Sequence, residues 1–382
     1  MTRLLIISFS DLASDARLQR QIAAFDGLYE VVTAGWGDGV ARTAQHIRLP
    51  VPPSGRRRAR RMRVESVLLR LGAYRLLHAT TPLYRAARRV LRDVRADIVL
   101  ANDIDAAPLA YAIAPASRVH VDLHEFFPGL HDDNPAWARL RGTYNGWLVR
   151  RFAAPAASTT TVAQEIAERY RDFGLSPAVV TNASRRRDLP VRPVSSPLRI
   201  VHSGAALAGR HLETMMRGVA ESRTDAVLTM YLMPNDPGYL ARLRALADEL
   251  GPRVRIEPPI AQPELVDTLA RHDVGIHILP ATSTNHTLAL PNKFFDFVQA
   301  RLGVIVGPTA AMAGLTRRGG FGAVTAGFTA QDVTDVVDSL TPAQVAAWKE
   351  AADAAAPELS ADSQTATWVR AIEAIATGMA EE

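Results

Sequence analysis

Short apolar runs alternate with helix-like stretches along this chain, and the alternation restricts the folds open to it. In the first half, strands are predicted at Arg3–Phe9, Tyr29–Ala34, Asp97–Ala101, Val119–Leu123, Thr159–Val162 and Ala178–Thr181. Helical patterns lie between them, at Ala13–Phe25, Pro82–Val94, Ala106–Ile113, Trp137–Phe152 and Ala163–Asp172. Such alternation favours a parallel sheet that is covered by helices on both faces.

The pattern breaks at Arg185–Pro197, a segment rich in Arg, Pro and Ser, and then restarts. Strands are predicted at Leu198–His202, Ala226–Tyr231, Val254–Ile256, Val274–Ile278 and Val304–Val306. Helices are predicted at Leu212–Val219, Tyr239–Leu250, Gln262–Arg271 and Asn292–Ala300. At roughly 100–200 residues per domain, a chain of 382 residues suits two domains. We therefore predict an α/β protein with two doubly wound, Rossmann-like domains, residues 1–190 and 191–358.

The remaining segment, residues 359–382, contains one further helical pattern. In Asp362–Thr377, the apolar residues Trp368, Val369, Ile372 and Ile375 recur at helical spacing. This spacing predicts a C-terminal helix with one buried face.

Composition excludes several classes of protein. The chain contains no cysteine, so no disulfide and no thiolate metal site can form. No stretch approaches the roughly 20 apolar residues that a membrane-spanning helix requires, and the apolar run after Met1 is too short for a signal peptide. We expect a soluble, cytoplasmic protein.

Basic residues are concentrated in the first half. Residues 1–190 contain 28 Arg, no Lys and 18 acidic residues, a net charge near +10, whereas the remainder is near −5. The densest run, Arg56–Arg63, suits a peripheral contact with an anionic membrane, at the inner face of the plasma membrane, or a phosphorylated acceptor. A solvated basic helix explains it equally well. Because the run lacks interleaved aromatic residues, no nucleic acid is expected.

Doubly wound sheets bind ligands beyond the C-terminal ends of their strands, and two such places occur in the first half. Ser10, Asp11 and Asp15 follow the first predicted strand and lead into a helix. The N-terminus of that helix suits an anion, but a simple helix cap explains the same residues. His124 and Glu125 follow the strand Val119–Leu123. A His beside acids can act in acid–base chemistry or hydrogen-bond a polar substrate, and a structural His is the alternative.

A third place lies where the first strand of the second half ends. Gly204 forms a turn there, and Arg210 follows just before a helix. A guanidinium beside a helix N-terminus suits a diphosphate, because it offers bidentate hydrogen bonds in addition to the helix dipole.

The fourth place, Leu290–Asp296, carries the strongest signal. Asn292 and Lys293 fall in the first turn of a predicted helix, where free backbone N–H groups form an anion site. A lysine there opposes the helix dipole, so its presence indicates an anionic ligand. Asp296, one turn further on, can accept hydrogen bonds from a ribose diol.

Two further patterns are weaker. Asp103-Ile104-Asp105 has the form of a metal-binding triplet, but such triplets arise often by chance. Gly319–Gly322 is rich in Gly, but it does not follow a predicted strand and open a helix, as a dinucleotide-binding motif does. We expect no metal site.

Together these segments resemble the GT-B glycosyltransferases, specifically the retaining family 4 group. Members show a Pro-Asn-Lys-Leu-Phe-Glu-Tyr-like stretch before a Gly-Leu-Pro-Val-like strand entry, and here Pro291–Phe297 precedes Arg301–Val304. Four other features fall in the order that the family shows: Asp122–Glu125, the region of Asn182, His202–Gly204 and Arg210. The resemblance covers nearly the whole chain.

The resemblance implies a fold and a donor site. The two domains would face a cleft, and the helix in 359–382 would cross back to the first domain. Gly204 matches the residue that lets the backbone approach the donor phosphates, and Arg210 matches a basic residue that neutralises the diphosphate. Asp296 matches the second acid of an E-x7-E pattern, which holds the ribose. The first acid falls at Leu288 and is absent, so Asn285, His286 or backbone groups are expected to replace its contact with the sugar. Leu290 is also expected to bind the donor.

The resemblance also implies a mechanism. His124 matches a residue near the transferred sugar, and we expect it to act with Arg210 and Lys293 in catalysis. The acceptor-binding residues expected in the first domain are Ser10, Asp11, Asp15 and Glu125. The resemblance implies a nucleotide-sugar substrate, with no metal and no cofactor, and retention of anomeric configuration. The acceptor would be a glycan, a lipid-linked sugar or a small molecule. The commonest setting in the family is cell-surface polysaccharide biosynthesis or glycolipid assembly, and natural-product glycosylation is the alternative.

Two alternatives stay open. A sugar-nucleotide epimerase shares the twin-domain plan, although it usually has more acid–base residues in its cleft. A catalytically inactive GT-B binding subunit would also fit, because the first acid is missing at Leu288.

Overall fold

The structure, a computed structural model, describes residues 1–52 and 55–381, apart from the side chains of residues 55–60 and 380–381. Two compact units account for the described chain. The first comprises Met1–Val180, Ser283–Asn285 and Thr365–Glu382, and the second comprises Thr181–Thr282 and His286–Gln364. The chain passes from one unit to the other after Val180, upstream of the Arg- and Pro-rich segment.

Within the described residues, the first unit has a parallel sheet of seven strands in the order β3-β2-β1-β4-β5-β6-β7. They are β1 (Arg3–Asp11), β2 (Glu30–Trp36), β3 (Gln45–Arg48), β4 (Ile98–Asn102), β5 (Val119–Leu123), β6 (Ser158–Thr161) and β7 (Ala178–Val179). β4 and β5 are buried along their whole length, as strands covered on both faces must be. β3 was not predicted, because it is a short, partly exposed edge strand with polar residues.

Helices in the first half connect these strands. They are α1 (Ala16–Phe25), α2 (Gly55–Arg70), α3 (Tyr74–Thr80), α4 (Pro82–Val90), α5 (Asp103–Ala110), α6 (Pro135–Trp137), α7 (Thr143–Leu148) and α8 (Gln164–Arg171). α1 begins at Ala16 instead of Ala13, because the Asp15 carboxylate caps it by accepting from the backbone N–H groups of Arg17 and Leu18. The helix predicted at 137–152 is interrupted by two π-helical segments.

The second unit repeats the plan with a parallel sheet of six strands among the described residues, in the order β10-β9-β8-β11-β12-β13. They are β8 (Leu198–Ala205), β9 (Ala226–Met233), β10 (Val254–Glu257), β11 (Val274–His277), β12 (Gly303–Val306) and β13 (Gly322–Val324). β13 was not predicted. A Cβ on Gly322 would lie 1.9 Å from the Val304 carbonyl oxygen, so this glycine permits β13 to approach β12. The predicted fold class, α/β with two doubly wound sheets, is confirmed.

Helices in the second half follow the same alternation. They are α9 (Glu213–Ala220), α10 (Pro237–Leu250), α11 (Leu265–Leu269), α12 (Thr284–Leu288), α13 (Asn292–Gln299), α14 (Ala310–Gly319), α15 (Ala330–Asp338), α16 (Pro342–Ala355) and α17 (Ala361–Glu381). The helix predicted at 262–271 begins instead as a 3-10 turn, so α11 is only five residues long. Trp368 and Ile372 of α17 lie in the same buried apolar cluster as Leu18 and Ile22 of α1.

Both sheets have a topological switch point at their first strand. β1 lies between β2 and β4, and β8 lies between β9 and β11. Helices on either side of such a point run to opposite faces, which leaves a crevice beyond the C-terminal ends of the strands. The ends of β1 and β8 are therefore where a ligand site is expected.

Candidate functional site

A cavity of about 410 Å³ lies at the C-terminal ends of β8 and β9 in the second unit. It is lined by Ser203, Gly204, Ala205, Arg210, Tyr231, Met233, Pro259, Ile260, Gln262, Leu265, Pro291, Asn292, Lys293 and Asp296. The structure thus brings together residues that the sequence singled out from separate segments, namely Gly204, Arg210, Asn292, Lys293 and Asp296.

Gly204 is required where the backbone meets the cationic side chains. Its φ of 144° is in a region that L residues rarely adopt. A Cβ at this position would lie 2.5 Å from Lys293 Nζ and 3.9 Å from Arg210 Nη1. The missing side chain therefore leaves room for the two cationic groups beside the end of β8.

Lys293 and Arg210 face the cavity without a carboxylate partner. Within the described part of the chain, neither side chain forms an ion pair. Burial, and then the charge of Arg210, lowers the pKa of Lys293 to about 7, although Asp296 acts in the opposite direction. Burial also lowers the pKa of Arg210. An anion in this cavity would relieve the unfavourable energy of both cations.

The start of α13 adds backbone donors to the cations. Pro291 precedes the helix, and no side chain caps its first turn. Asn292 and Lys293 occupy that turn, where backbone N–H groups attract an anion. The helix is held rigidly, because Phe294, Phe295 and Phe297 are fully buried. Its polar face is thus fixed toward the cavity.

Asp296 lies on the same face of α13, one turn beyond Asn292, and it is buried. The hydroxyl of Ser184 donates a hydrogen bond to its carboxylate. The carboxylate is thereby oriented at the cavity wall, where it can accept hydrogen bonds from a hydroxylated ligand.

One wall of the cavity was missed by sequence reasoning. Tyr231 and Met233 lie in the C-terminal part of β9, Pro259 and Ile260 follow β10, and Leu265 begins α11. These residues are mainly apolar and suit a flat ring. Their position at or after the ends of predicted strands was the available signal, but no polar motif marks them.

Three predicted donor-binding residues do not line this cavity. Asn285 belongs to the first unit, where its side-chain amide pairs with the backbone of Phe126: Oδ1 accepts at 2.9 Å and Nδ2 donates at 3.2 Å. His286 has its Nδ1 2.8 Å from the Thr282 hydroxyl. Leu290 is buried, so its side chain contributes packing.

The first unit contains a buried polar network at the ends of β4 and β5. The Asp122 carboxylate accepts hydrogen bonds from Arg17 Nε and Nη2, both at 2.7 Å, and from Thr160 Oγ1 at 2.6 Å. Burial alone would raise the pKa of Asp122, but the Arg17 guanidinium and the hydrogen bond from His124 hold it well below its usual range. Asp122 is therefore an ionised carboxylate whose two oxygens both accept hydrogen bonds from neighbouring side chains.

His124 lies at the edge of this network, with an acceptor at each ring nitrogen. Nε2 is 3.2 Å from Asp122 Oδ2 and 3.2 Å from Asn102 Oδ1, and Nδ1 is 3.3 Å from Asp103 Oδ2. Burial favours the neutral ring, but Asp103 and Asp122 outweigh it and raise the pKa of His124. These contacts favour an imidazolium, which donates at both nitrogens and is not free to accept a proton.

Internal hydrogen bonds occupy the polar residues between the end of β1 and the start of α1. Asp15 caps α1 and accepts from the Ser10 hydroxyl at 2.8 Å. Asp11 Oδ1 accepts from the backbone N–H of Ala13 at 3.1 Å. Of the predicted acceptor-binding residues, Asp11 and Glu125 are exposed. These contacts give Ser10, Asp11 and Asp15 a structural role at the junction of β1 and α1, whatever else they bind.

No cluster of three or more His, Cys, Asp or Glu side chains suited to a metal ion occurs among the residues that the structure describes. In the same part of the chain, no helix has both the length and the apolar character needed to span a membrane.

Comparison with known proteins gives a likeness of fold. No protein-family model matches the chain, and no curated protein matches it in sequence. Among solved structures, it is similar to Anabaena HepE in complex with UDP, with a TM-score of 0.68, 15% identity and full coverage of both chains. It is also similar to sucrose-phosphate synthase from Thermosynechococcus elongatus, with a TM-score of 0.69 and 11% identity over 99% of this chain and 100% of that one.

A third similar structure is a glycosyltransferase from Rickettsia africae, with a TM-score of 0.68 and 10% identity over 98% of both chains. At such identities the likeness establishes the fold. The chain has the GT-B fold that the sequence predicted.

Proposed function

We propose that the protein is a glycosyltransferase that moves a sugar, of the hexose type, from a nucleoside diphosphate to an acceptor. The observation that carries this proposal is the position of Lys293 and Arg210, two cations beside Gly204 with no carboxylate partner among the described residues. A diphosphate satisfies both cations and the open N–H groups of α13 together. Proteins of similar fold have been solved with UDP and UDP-glucose, which supports the proposal.

The chemistry follows from where negative charge develops. When the bond between the anomeric carbon and the diphosphate oxygen breaks, the leaving diphosphate gains negative charge. Lys293, Arg210 and the N-terminus of α13 stabilise that charge in a partly enclosed site. The scheme uses no metal ion and no cofactor, because protein cations replace a metal at the diphosphate.

The remaining wall of the cavity suits the nucleoside. Asp296 is placed to accept hydrogen bonds from the ribose hydroxyls, and the apolar wall from Tyr231 to Leu265 offers a surface for the base. Leu288 is buried where the family 4 pattern has its first acid, so a backbone group or His286 would contact the sugar. Membership of the retaining family 4 group, with retention of configuration, is part of this proposal and would be tested by the anomeric NMR signals of the product.

We assign acceptor binding to residues 1–190 and donor binding to residues 191–358, with 359–382 completing the first domain. In the first domain His124 is the candidate for contact with the transferred sugar. Its two occupied ring nitrogens give it the role of a fixed positive charge, and exposed Glu125 is a candidate for contact with acceptor hydroxyls. A glycan, lipid-linked or small-molecule acceptor fits this assignment, as does polysaccharide biosynthesis.

An exposed apolar and basic surface lies on α2, α3 and α4. Leu71 is 73% exposed, and Met62, Val64, Val67, Leu76 and Val90 are also exposed, together with Arg63, Arg70 and Arg75. The acid of this surface, Glu65, is paired with Arg141 at 2.7 Å. The side chains of Arg56–Arg58 and Arg60 lie outside the described residues. Exposed apolar residues interspersed with arginines suit an anionic lipid surface, so we propose peripheral association with the inner face of the plasma membrane.

The lipid contact is testable by flotation with vesicles of anionic and neutral lipids. We expect salt-sensitive binding to anionic vesicles that the triple change Val67→Ser, Leu71→Ser and Leu76→Ser reduces at least about tenfold, since each apolar side chain contributes about 1 kcal/mol or more when buried. Leu28→Ser is the control, because Leu28 is 51% exposed but lies outside this surface. Equal loss in both variants would contradict the assignment.

Sugar transfer is tested with a panel of nucleotide sugars, by following release of nucleoside diphosphate with and without acceptor extracts. Lys293→Met and Arg210→Ala should each reduce release about 100-fold or more, because each removes a charge at the leaving group. Arg255→Ala, at an exposed position on β10, should not. Sugar turnover that needs no acceptor would indicate an epimerase, and neither binding nor release with any donor would refute the proposed sugar transfer.

A further inference from the structure

His202 is a buried histidine beside the cavity that the proposed reaction does not use. It lies on β8 with no exposed surface, and its Nδ1 is 2.8 Å from the Ile276 carbonyl oxygen. Because a carbonyl oxygen only accepts, Nδ1 carries the proton and Nε2 carries a lone pair. That lone pair faces Lys293 Nζ at a distance of 3.4 Å. His202 is therefore an acceptor for the lysine amine.

The charged and titratable groups around this amine come from several elements. His202 lies on β8, Arg210 follows it, Asp296 lies on α13, and His277 ends β11 with its ring centroid 5.5 Å from that of His202. Burial and the charge of Lys293 hold the pKa values of both histidines well below the usual range, with Arg210 and, for His277, His286 acting in the same direction. Both rings are thus neutral near pH 7, and the amine is the group whose charge changes there.

We infer that His202 is a positioning residue that holds the Lys293 amine at the cavity wall, and that binding of a diphosphate is coupled to uptake of one proton by this amine. The diphosphate as ligand rests on the proposed function. The step is balanced: a solvent proton adds to the lysine nitrogen lone pair, and no other covalent bond changes.

The direction of the coupling follows from the surroundings. In the free protein the amine is buried near Arg210, which lowers its pKa to about 7. A bound diphosphate supplies negative charge and raises that pKa. Below pH 7 the amine already carries the proton, so little uptake occurs. Above pH 7 uptake approaches one proton, and affinity falls about tenfold per pH unit until the pKa of the complex is reached.

The sequence makes this measurable, because Lys293 and Lys349 are its only lysines. NMR of protein labelled at lysine Cε and Nζ should give two side-chain signals, with Lys293→Met assigning them. Lys349 is an internal reference, since its amine is paired with Asp273 at 3.2 Å. We expect the Lys293 signal to titrate near pH 7. Titration of that signal near 10.5, the ordinary value, would overturn the inference whatever the ligand is.

Two substitutions separate positioning from packing. In His202→Asn the amide can still donate to Ile276 but falls short of Lys293, whereas the longer side chain in His202→Gln can place an acceptor near the former Nε2. We expect His202→Asn to lower the pKa of Lys293 by about one unit, the effect of one hydrogen bond to a charged group, and His202→Gln to restore it. A purely structural histidine would alter the melting temperature in these variants and leave the lysine titration unchanged, which would refute the positioning role.

Calorimetry with UDP-glucose at pH 8, in buffers of different ionisation enthalpy, tests the coupling. We expect uptake approaching one proton in the wild type and none in Lys293→Met. Binding without proton uptake would overturn the coupling and leave the proposed function intact. If UDP-glucose and the other donors of the panel do not bind at all, the proposed function and the coupling both fail, while the lysine titration still decides the role of His202.

Discussion

Gly204→Ala is a small change with an effect that the geometry specifies. The added Cβ would lie 2.5 Å from Lys293 Nζ, closer than real Cβ atoms approach other groups, and at a tight 3.2 Å from its Cε. The lysine amine is the end of a flexible chain, so it can move away. Relieving the clash therefore displaces the cation that we assign to the diphosphate.

Two contributions to the loss can be estimated. A φ of 144° in a residue other than glycine costs on the order of 1–3 kcal/mol of folding free energy. Displacing one charged hydrogen-bond donor from a diphosphate costs about 1.5–3 kcal/mol of binding, or roughly 10- to 100-fold in Kd. We thus expect a lower melting temperature together with weaker donor binding.

The assay is thermal unfolding together with calorimetric titration of the donor. Gly209→Ala is the matched control, because its Cβ would meet nothing within 4 Å. In the Lys293→Met background, Gly204→Ala should cause little further loss of donor affinity, because the lysine amine is already absent. The loss of folding free energy caused by Gly204→Ala should remain. If Gly204→Ala bound the donor as well as the wild type does, Lys293 would not be the diphosphate ligand.

Three further predictions concern stability. Because the pKa of Lys293 is lowered, the unfolded chain binds more protons than the folded one between about pH 7 and 10.5. The free energy of unfolding of the wild type relative to Lys293→Met, measured by urea titration, should therefore rise with pH across that window. A difference in unfolding free energy that falls with pH would contradict the burial argument. Asp122→Asn should lower the free energy of unfolding by about 3–5 kcal/mol, because it breaks a buried ion pair. Asp26→Asn, in an exposed ion pair, should lower it by less than about 1 kcal/mol in the same urea titration. Asn285→Ala should lower the melting temperature by leaving the buried Phe126 N–H unpaired and should not change the donor Kd; a weaker Kd would return this residue to the donor site.

Much of the fold was predictable because its determinants are local. Apolar runs such as Leu4–Ile7 and Val304–Val306 are fully buried, as parallel strands under helices must be. The strands that were not predicted, Gln45–Arg48 and Gly322–Val324, are short edge strands that each pair with a single neighbouring strand. Gln45–Arg48 contains no apolar run and Gly322–Val324 is only three residues long, so the local pattern did not identify either strand.

The site was predictable where one short segment contains both a chemically distinctive side chain and the local structure that gives it meaning. A lysine in the first turn of a helix is unfavourable without an anion, and that conflict identified Lys293. The role of Asn285 was not accessible, because its pairing with Phe126 depends on a contact across 159 residues. The acceptor that His202 offers to Lys293 likewise depends on the hydrogen bond of its other ring nitrogen to Ile276, which no sequence motif encodes.

The central claim is that a nucleotide-sugar diphosphate binds between Lys293 and Arg210 in the second unit, and a crystal structure with a nucleoside diphosphate at saturating concentration tests it most directly. We predict density for the diphosphate within hydrogen-bond distance of Lys293 Nζ and the Arg210 guanidinium, with the ribose hydroxyls at Asp296. A diphosphate bound elsewhere, or an empty cavity in crystals soaked with every donor nucleotide, would contradict the account.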